Sequence, residues 1–61
     1  MEVDVQTNAI LTLEEISRML RVDKATVYRM ARSRRIPAVK VGRQWRFEKS
    51  EIDQWLKKQY T

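Results

Sequence analysis

The sequence predicts a mainly α-helical domain carrying one small β-hairpin, and three observations predict it. Apolar residues recur at helical spacing in three separate stretches, around Ile16, Val27 and Ile52. Between the second and the third the period drops to two, with the only glycine, Gly42, in the middle. The chain has 61 residues, room for one small domain at most.

Residues 1–10 show no sustained period and read as a flexible N-terminal arm; residues 11–60 carry the domain. Thr12-Leu13-Glu14-Glu15 is a capping box: Thr12 accepts from the N–H three residues on, and Glu15 reaches back to the cap N–H. Behind it Ile16, Met19 and Leu20 keep helical spacing, with Leu13 extending the stripe, so the first helix covers 13–20. Asp23 offers a second N-cap. Val27, Met30 and Ala31 repeat the i, i+3, i+4 pattern on a second helix near 24–32. Only Arg21-Val22-Asp23 separates the two, with Val22 as an apolar plug at the corner, so the pair must cross steeply. That is the sequence shape of a helix-turn-helix.

Pro37 disfavours α geometry at Ile36, so the second helix ends earlier. Val39-Lys40-Val41, Gly42-Arg43-Gln44 and Trp45-Arg46-Phe47 then read as strand, turn and strand. This alternation puts Lys40 and Arg46 on one hairpin face, opposite Val39, Val41, Trp45 and Phe47. Ser50 with Asp53 resembles a weaker cap pair. Ile52, Trp55, Leu56 and Tyr60 form a third stripe, on a helix from 49–51 to 58. The expected core is Ile16, Leu20, Val22, Val27, Met30, Ile36, Val39, Val41, Phe47, Ile52, Trp55 and Leu56.

Composition excludes several chemistries. There is no Cys and no His, hence no disulfide framework, no thiolate nucleophile and none of the usual zinc ligands. No Gly-rich phosphate loop is present, and a chain this short has no room for a catalytic cleft. The expectation is a non-enzymatic protein without cofactor or metal. The longest apolar run, Ala9 to Leu11, is far short of the ~20 residues that span a bilayer. The acidic, polar start MEVDVQTN is unlike a signal peptide. A soluble, cytoplasmic, nucleoid-associated protein without a membrane partner is expected.

Charge is distributed unevenly. Residues 1–23 set Glu2, Asp4, Glu14, Glu15 and Asp23 against Arg18 and Arg21, a net −3. Residues 24–49 set nine basic residues (Lys24, Arg29, Arg32, Arg34, Arg35, Lys40, Arg43, Arg46 and Lys49) against Glu48 alone, a net +8. The last twelve residues balance, so the overall +5 resides in the centre. A basic segment on a folded scaffold points to a polyanion partner. The plainer alternative is an arginine-rich solvated surface.

The stretch LTLEEISRMLRVDKATVYRMARSRRIPAVKVGRQWRFEKSEIDQWL, residues 11–56, resembles the excisionase-type, MerR-like winged helix-turn-helix DNA-binding domain. The elements that carry the likeness are LTLEEIS, LRVDKATVYR, IPAVKVG, WRF and SEIDQWL, in the family's order and spacing. The resemblance implies a winged helix-turn-helix fold and double-stranded DNA as partner. It also implies a role as a small transcription regulator or a recombination factor in DNA excision. Family members commonly have Gly where this chain has Arg34. Gly suits a left-handed helix end that a residue with a Cβ adopts at a cost of ~1–2 kcal/mol. Either Arg34 accepts that cost or the helix ends differently, and the placement of Arg34 and Arg35 depends on which. Ser17 stands where a small residue, often Ala, packs between helices, a benign exchange.

In a helix-turn-helix the second helix enters the major groove, N-terminal residues foremost. That brings Lys24, Ala25, Thr26, Tyr28 and Arg29 to the groove, Arg32 one turn on and Arg35 beyond. Asp23 and Lys24 lie at a helix N-terminus, which attracts phosphate. Thr26 has a methyl for thymine and a hydroxyl for phosphate or base, or is simply a solvated helix residue. Tyr28 bonds a phosphate or shields the core edge. Arg29 reads guanine bidentately, or clamps a phosphate, or is merely solvated. On the hairpin, the resemblance assigns Arg43 at the tip to a minor groove or its bordering phosphates. Lys40 and Arg46 suit phosphates, or are the polar face of an exposed hairpin. Trp45 closes the core or offers its ring to sugar and base; its parity with Phe47 favours the core. The rival function is a protein-interaction module that keeps the fold without reading DNA, and it predicts a neutral second helix. Self-association on repeated sites, or a fused or partner domain, is expected to supply the remaining affinity.

Overall fold

Six elements follow one another along residues 9–60, the part the computed structural model describes: β1 (Ile10–Thr12), α1 (Leu13–Leu20), α2 (Lys24–Arg32), β2 (Val39–Val41), β3 (Gln44–Glu48) and α3 (Lys49–Gln59). Of the expected arm, residues 1–8 lie outside the described part. Its last two residues belong to the fold, because Ile10 opens β1 and the Ala9 carbonyl accepts from the Lys49 N–H at 2.9 Å.

The first two helices start as their sequence dictates. The Thr12 hydroxyl accepts from the Glu15 N–H at 3.1 Å, and the Glu15 carboxylate accepts from the Thr12 N–H at 2.8 Å. Asp23 accepts from the Ala25 N–H at 3.0 Å. The third helix departs from expectation. Its N-cap is Glu48, without a side-chain cap bond, and Ser50 lies inside the first turn. Lys49 and Asp53 brace that turn with an ion pair at 3.1 Å. Tyr60, placed on the apolar stripe by spacing, is exposed just past the helix end.

Both α1 and α2 stop in the same way. After α1 the Arg21 N–H donates to the Arg18 carbonyl and the Val22 N–H to the Ser17 carbonyl. After α2 the Arg34 N–H donates to the Ala31 carbonyl and the Arg35 N–H to the Met30 carbonyl. This double closure requires a left-handed residue, usually glycine. Here arginine fills both positions, Arg21 at φ 58° and Arg34 at φ 63°. Arg34 therefore accepts the strain.

The strands form an antiparallel sheet in the order β1-β3-β2. Gly42 and Arg43 alone make the β2–β3 turn, so Val41 pairs with Gln44, Lys40 with Trp45 and Val39 with Arg46. A sequence loop of three residues would have set Val41 against Trp45 instead. Directly paired residues share a face, and a one-residue slip exchanges faces along the whole strand. Lys40 consequently lies on the inner face with Trp45, Phe47 and Leu11, while Val39, Val41 and Arg46 lie on the outer one. Lys40 and Arg46 thus do not share a face. Val39 and Val41, expected in the core, are 60% and 59% exposed.

The core joins all three helices to the sheet. Ile16 of α1, Val27 and Ala31 of α2, Ile36 of the loop, Phe47 of β3 and Ile52 of α3 are buried together. Leu11, Leu20, Val22, Met30, Trp45 and Trp55 pack around them, half-buried. Among the described residues no helix is long and apolar enough to cross a membrane.

Candidate nucleic-acid interface

Burying Val27 and Ala31 fixes the rotation of α2, and so dictates what it shows outside. Lys24, Ala25, Tyr28, Arg29 and Arg32 are exposed and Thr26 is half-buried. Tyr28 and Arg32 are neighbours four residues apart, with the guanidinium 5.8 Å from the ring centroid. A cation over an aromatic face is attracted by the ring quadrupole, which stiffens this ridge.

Hollows border the ridge. One, about 660 Å³, is lined by Thr26, Arg29, Met30, Arg32, Ser33 and Arg35. A second of about 660 Å³ lies between the end of α2 and the hairpin; Arg32, Arg34 and Lys40 line it together with Pro37 and Trp45. A third, about 300 Å³, is lined by Tyr28, Arg43, Gln44 and Arg46 beside the start of α1. Arg32 is common to the first two and Trp45 to the last two, so α2 and the hairpin share one indented surface.

The cations on this surface differ in freedom. Arg46 donates to the Trp45 carbonyl at 2.9 Å and to the Gln44 side chain, which ties it to its own strand. The Lys40 ammonium rests 5.3 Å from the Trp45 ring centroid. Lys49, counted in the basic stretch, is engaged by Asp53. Among the described residues no hydrogen bond or ion pair holds the side chains of Lys24, Arg29, Arg34, Arg35 or Arg43.

Two elements hold this surface in place. The Trp55 indole N–H donates to the Arg35 carbonyl at 2.9 Å, so α3 anchors the loop that carries Arg34 and Arg35. Trp45 packs on the core and aims its N–H inward, where it finds no partner among the described residues. Its ring is therefore committed to packing, with Lys40 above it.

The candidates thus gather in groups: Thr26, Arg29, Arg32 and Arg35 on the first hollow, Arg32 and Lys40 on the second, Tyr28, Arg43 and Arg46 on the third. Lys24 stands apart at the start of α2. Sequence reasoning left out Arg34 and Gln44, which line the second and third hollows. For Arg34 a signal existed in the family's usual glycine. Gln44 carried none, because its role depends on the turn register.

Comparison with known proteins places the chain in a family. The model of a family described as helix-turn-helix domain matches residues 10–60. Two relatives, one from each of two strains of Mycobacterium tuberculosis and each bearing the name "Putative DNA-binding protein", are 37% identical over 51 residues, 84% of this chain. The chain spans 65% of their length. An uncharacterized protein of Bacillus subtilis, YvgK, is 39% identical over 44 residues, 72% of this chain and 14% of its own. No solved structure matches significantly. With three helices, a three-stranded sheet and the hairpin wing in place, the chain belongs to the helix-turn-helix domain family.

Proposed function

We propose that this domain binds double-stranded DNA sequence-specifically, with α2 in the major groove and the β2–β3 wing on the flanking backbone. Its role is that of a small transcription regulator or an excisionase-type recombination factor, without catalysis, in the cytoplasm at the nucleoid. The observation that carries the reading is the set of arginines around α2: Arg29, Arg32 and Arg35 line the first hollow, and Arg32 and Arg34 line the second, which α2 shares with the wing. An interaction module that had given up DNA would leave α2 neutral, and α2 is crowded with cations. The names of the mycobacterial relatives point the same way.

Within the reading, Arg29 makes base contacts, with Thr26 and Tyr28 beside it. Lys24, Arg32, Arg35, Lys40, Arg43 and Arg46 hold phosphates or the minor groove. One such module buries only ~600–1,000 Å², so a single copy binds weakly and paired half-sites or a further domain supply the rest. Selection from random duplexes by mobility shift tests this directly. Enrichment of one short motif, with log K falling against log[salt] at a slope of about −4 to −5, is the expected result. No enrichment and a slope near zero would remove the proposal.

A further inference from the structure

The segment after α2 is fixed from several sides. The Arg34 N–H donates to the Ala31 carbonyl at 3.2 Å and the Arg35 N–H to the Met30 carbonyl at 2.8 Å. Trp55 holds the Arg35 carbonyl, and Ile36 is 2% exposed in the core. These ties set residue 34 at φ 63° whatever its side chain. Glycine takes that conformation freely and arginine does not. A strained backbone persists where its surroundings over-determine it, and such sites are enriched in function. Strain alone does not single out Arg34, because Arg21 shares it at φ 58°. Position does. Arg34 lines the 660 Å³ cleft between α2 and the wing, where Arg32 and Lys40 also converge and where no carboxylate stands among the described lining residues.

Three cations around a concavity walled by Pro37, Ala38 and the Trp45 ring repel one another and focus a positive potential into it. An anion relieves that repulsion. We infer that this cleft is a phosphate site with Arg34 as its principal donor. Its ligand is a phosphodiester of the strand that passes from the groove held by α2 to the wing. The inference rests on the DNA-binding reading above. It adds a grip at one of the two positions where the backbone favours glycine and arginine stands instead.

The test is fluorescence anisotropy with one labelled duplex over a salt series, using the wild type, Arg34→Gly, Arg34→Lys and Arg21→Gly, each also melted thermally. Arg34→Gly should melt higher yet bind about three- to tenfold more weakly, its salt slope shallower by about one. Arg34→Lys, which keeps both the charge and the strained backbone, should retain the slope. Arg21→Gly should melt higher and bind as the wild type does. Unchanged affinity and slope in Arg34→Gly, on a duplex the wild type binds, would overturn the phosphate site and leave the DNA reading standing. An equal loss in Arg21→Gly would also overturn it, because net charge would then be the cause. Failure of the wild type to bind any duplex overturns both.

Discussion

The Trp55 indole N–H and the Arg35 carbonyl, twenty residues apart in the chain, meet at 2.9 Å and join α3 to the loop beneath the candidate interface. The domain's other tryptophan makes the opposite arrangement, since the Trp45 N–H is buried without a partner among the described residues. The two should therefore respond differently to the same substitution. Trp55→Phe loses a hydrogen bond worth ~0.5–1.5 kcal/mol as well as ring area. Trp45→Phe loses ring area but removes an unpaired buried donor, whose desolvation costs ~1–3 kcal/mol. Thermal melts should show Trp55→Phe clearly destabilised, by ~4–8 °C for each kcal/mol, and Trp45→Phe close to the wild type. Equal losses would mean that the Trp55 bond contributes nothing.

The sheet register makes a second contrast. Val41 lies on the outer face, 59% exposed, whereas Phe47 is fully buried. Val41→Thr should change stability by no more than ~0.5 kcal/mol. Phe47→Ala should cost ~3–5 kcal/mol, comparable with the whole stability of a domain this small, and leave the chain largely unfolded. Denaturant titration with circular dichroism measures both. A large loss in Val41→Thr would restore the three-residue loop.

These particulars show which features the sequence could reveal. Thr12, Glu15 and Asp23 act within a few residues of themselves, so their caps were readable from local pattern alone. β1 has three residues, too few to establish a period, and exists only because β3 offers an edge to pair with. Lys40 faces Trp45 rather than accompanying Arg46 because the turn holds two residues, a choice that Gly-Arg-Gln leaves open. Arg34 was visible as a departure from the family's glycine. What it lines depends on the wing folding back beside α2, a tertiary relation that no spacing encodes.

That turn depends on Gly42. Its φ is 62° while Arg43 is not among the positive-φ residues, the pattern of a type II′ turn with glycine at its first central position. Nothing lies within 4 Å of a Cβ added at Gly42, so space is not what excludes a side chain. Gly42→Ala should cost ~1–2 kcal/mol through backbone strain alone. Gly42→Asn, which tolerates the left-handed region better, should recover part of it. Hydrogen exchange at the β2 and β3 amides would locate the loss in the wing. Equal stability of all three proteins would show that the turn does not need the positive φ.

Substitutions at Arg29 and Arg43 test whether the proposed function divides into reading and gripping. Arg29 stands on the exposed side of α2 because Val27 and Ala31 take the buried side, and its side chain borders the same hollow as Thr26. A forked donor at that place matches the O6 and N7 acceptors of guanine. Arg43 occupies the second position of the wing turn, exposed and unconstrained among the described residues, which suits a narrow groove or its bordering phosphates. Arg29→Ala should cost ~1–3 kcal/mol of binding and relax the preference at one base pair. Arg43→Ala should weaken all duplexes alike, or alter only the preference between A·T and G·C flanks. Neither should lower the melting temperature much, since both side chains are exposed. Binding of both variants to every single-base-pair substitution of the selected site is the measurement. A specificity profile left intact by Arg29→Ala would make Arg29 a phosphate clamp and move base reading to Thr26 or Tyr28.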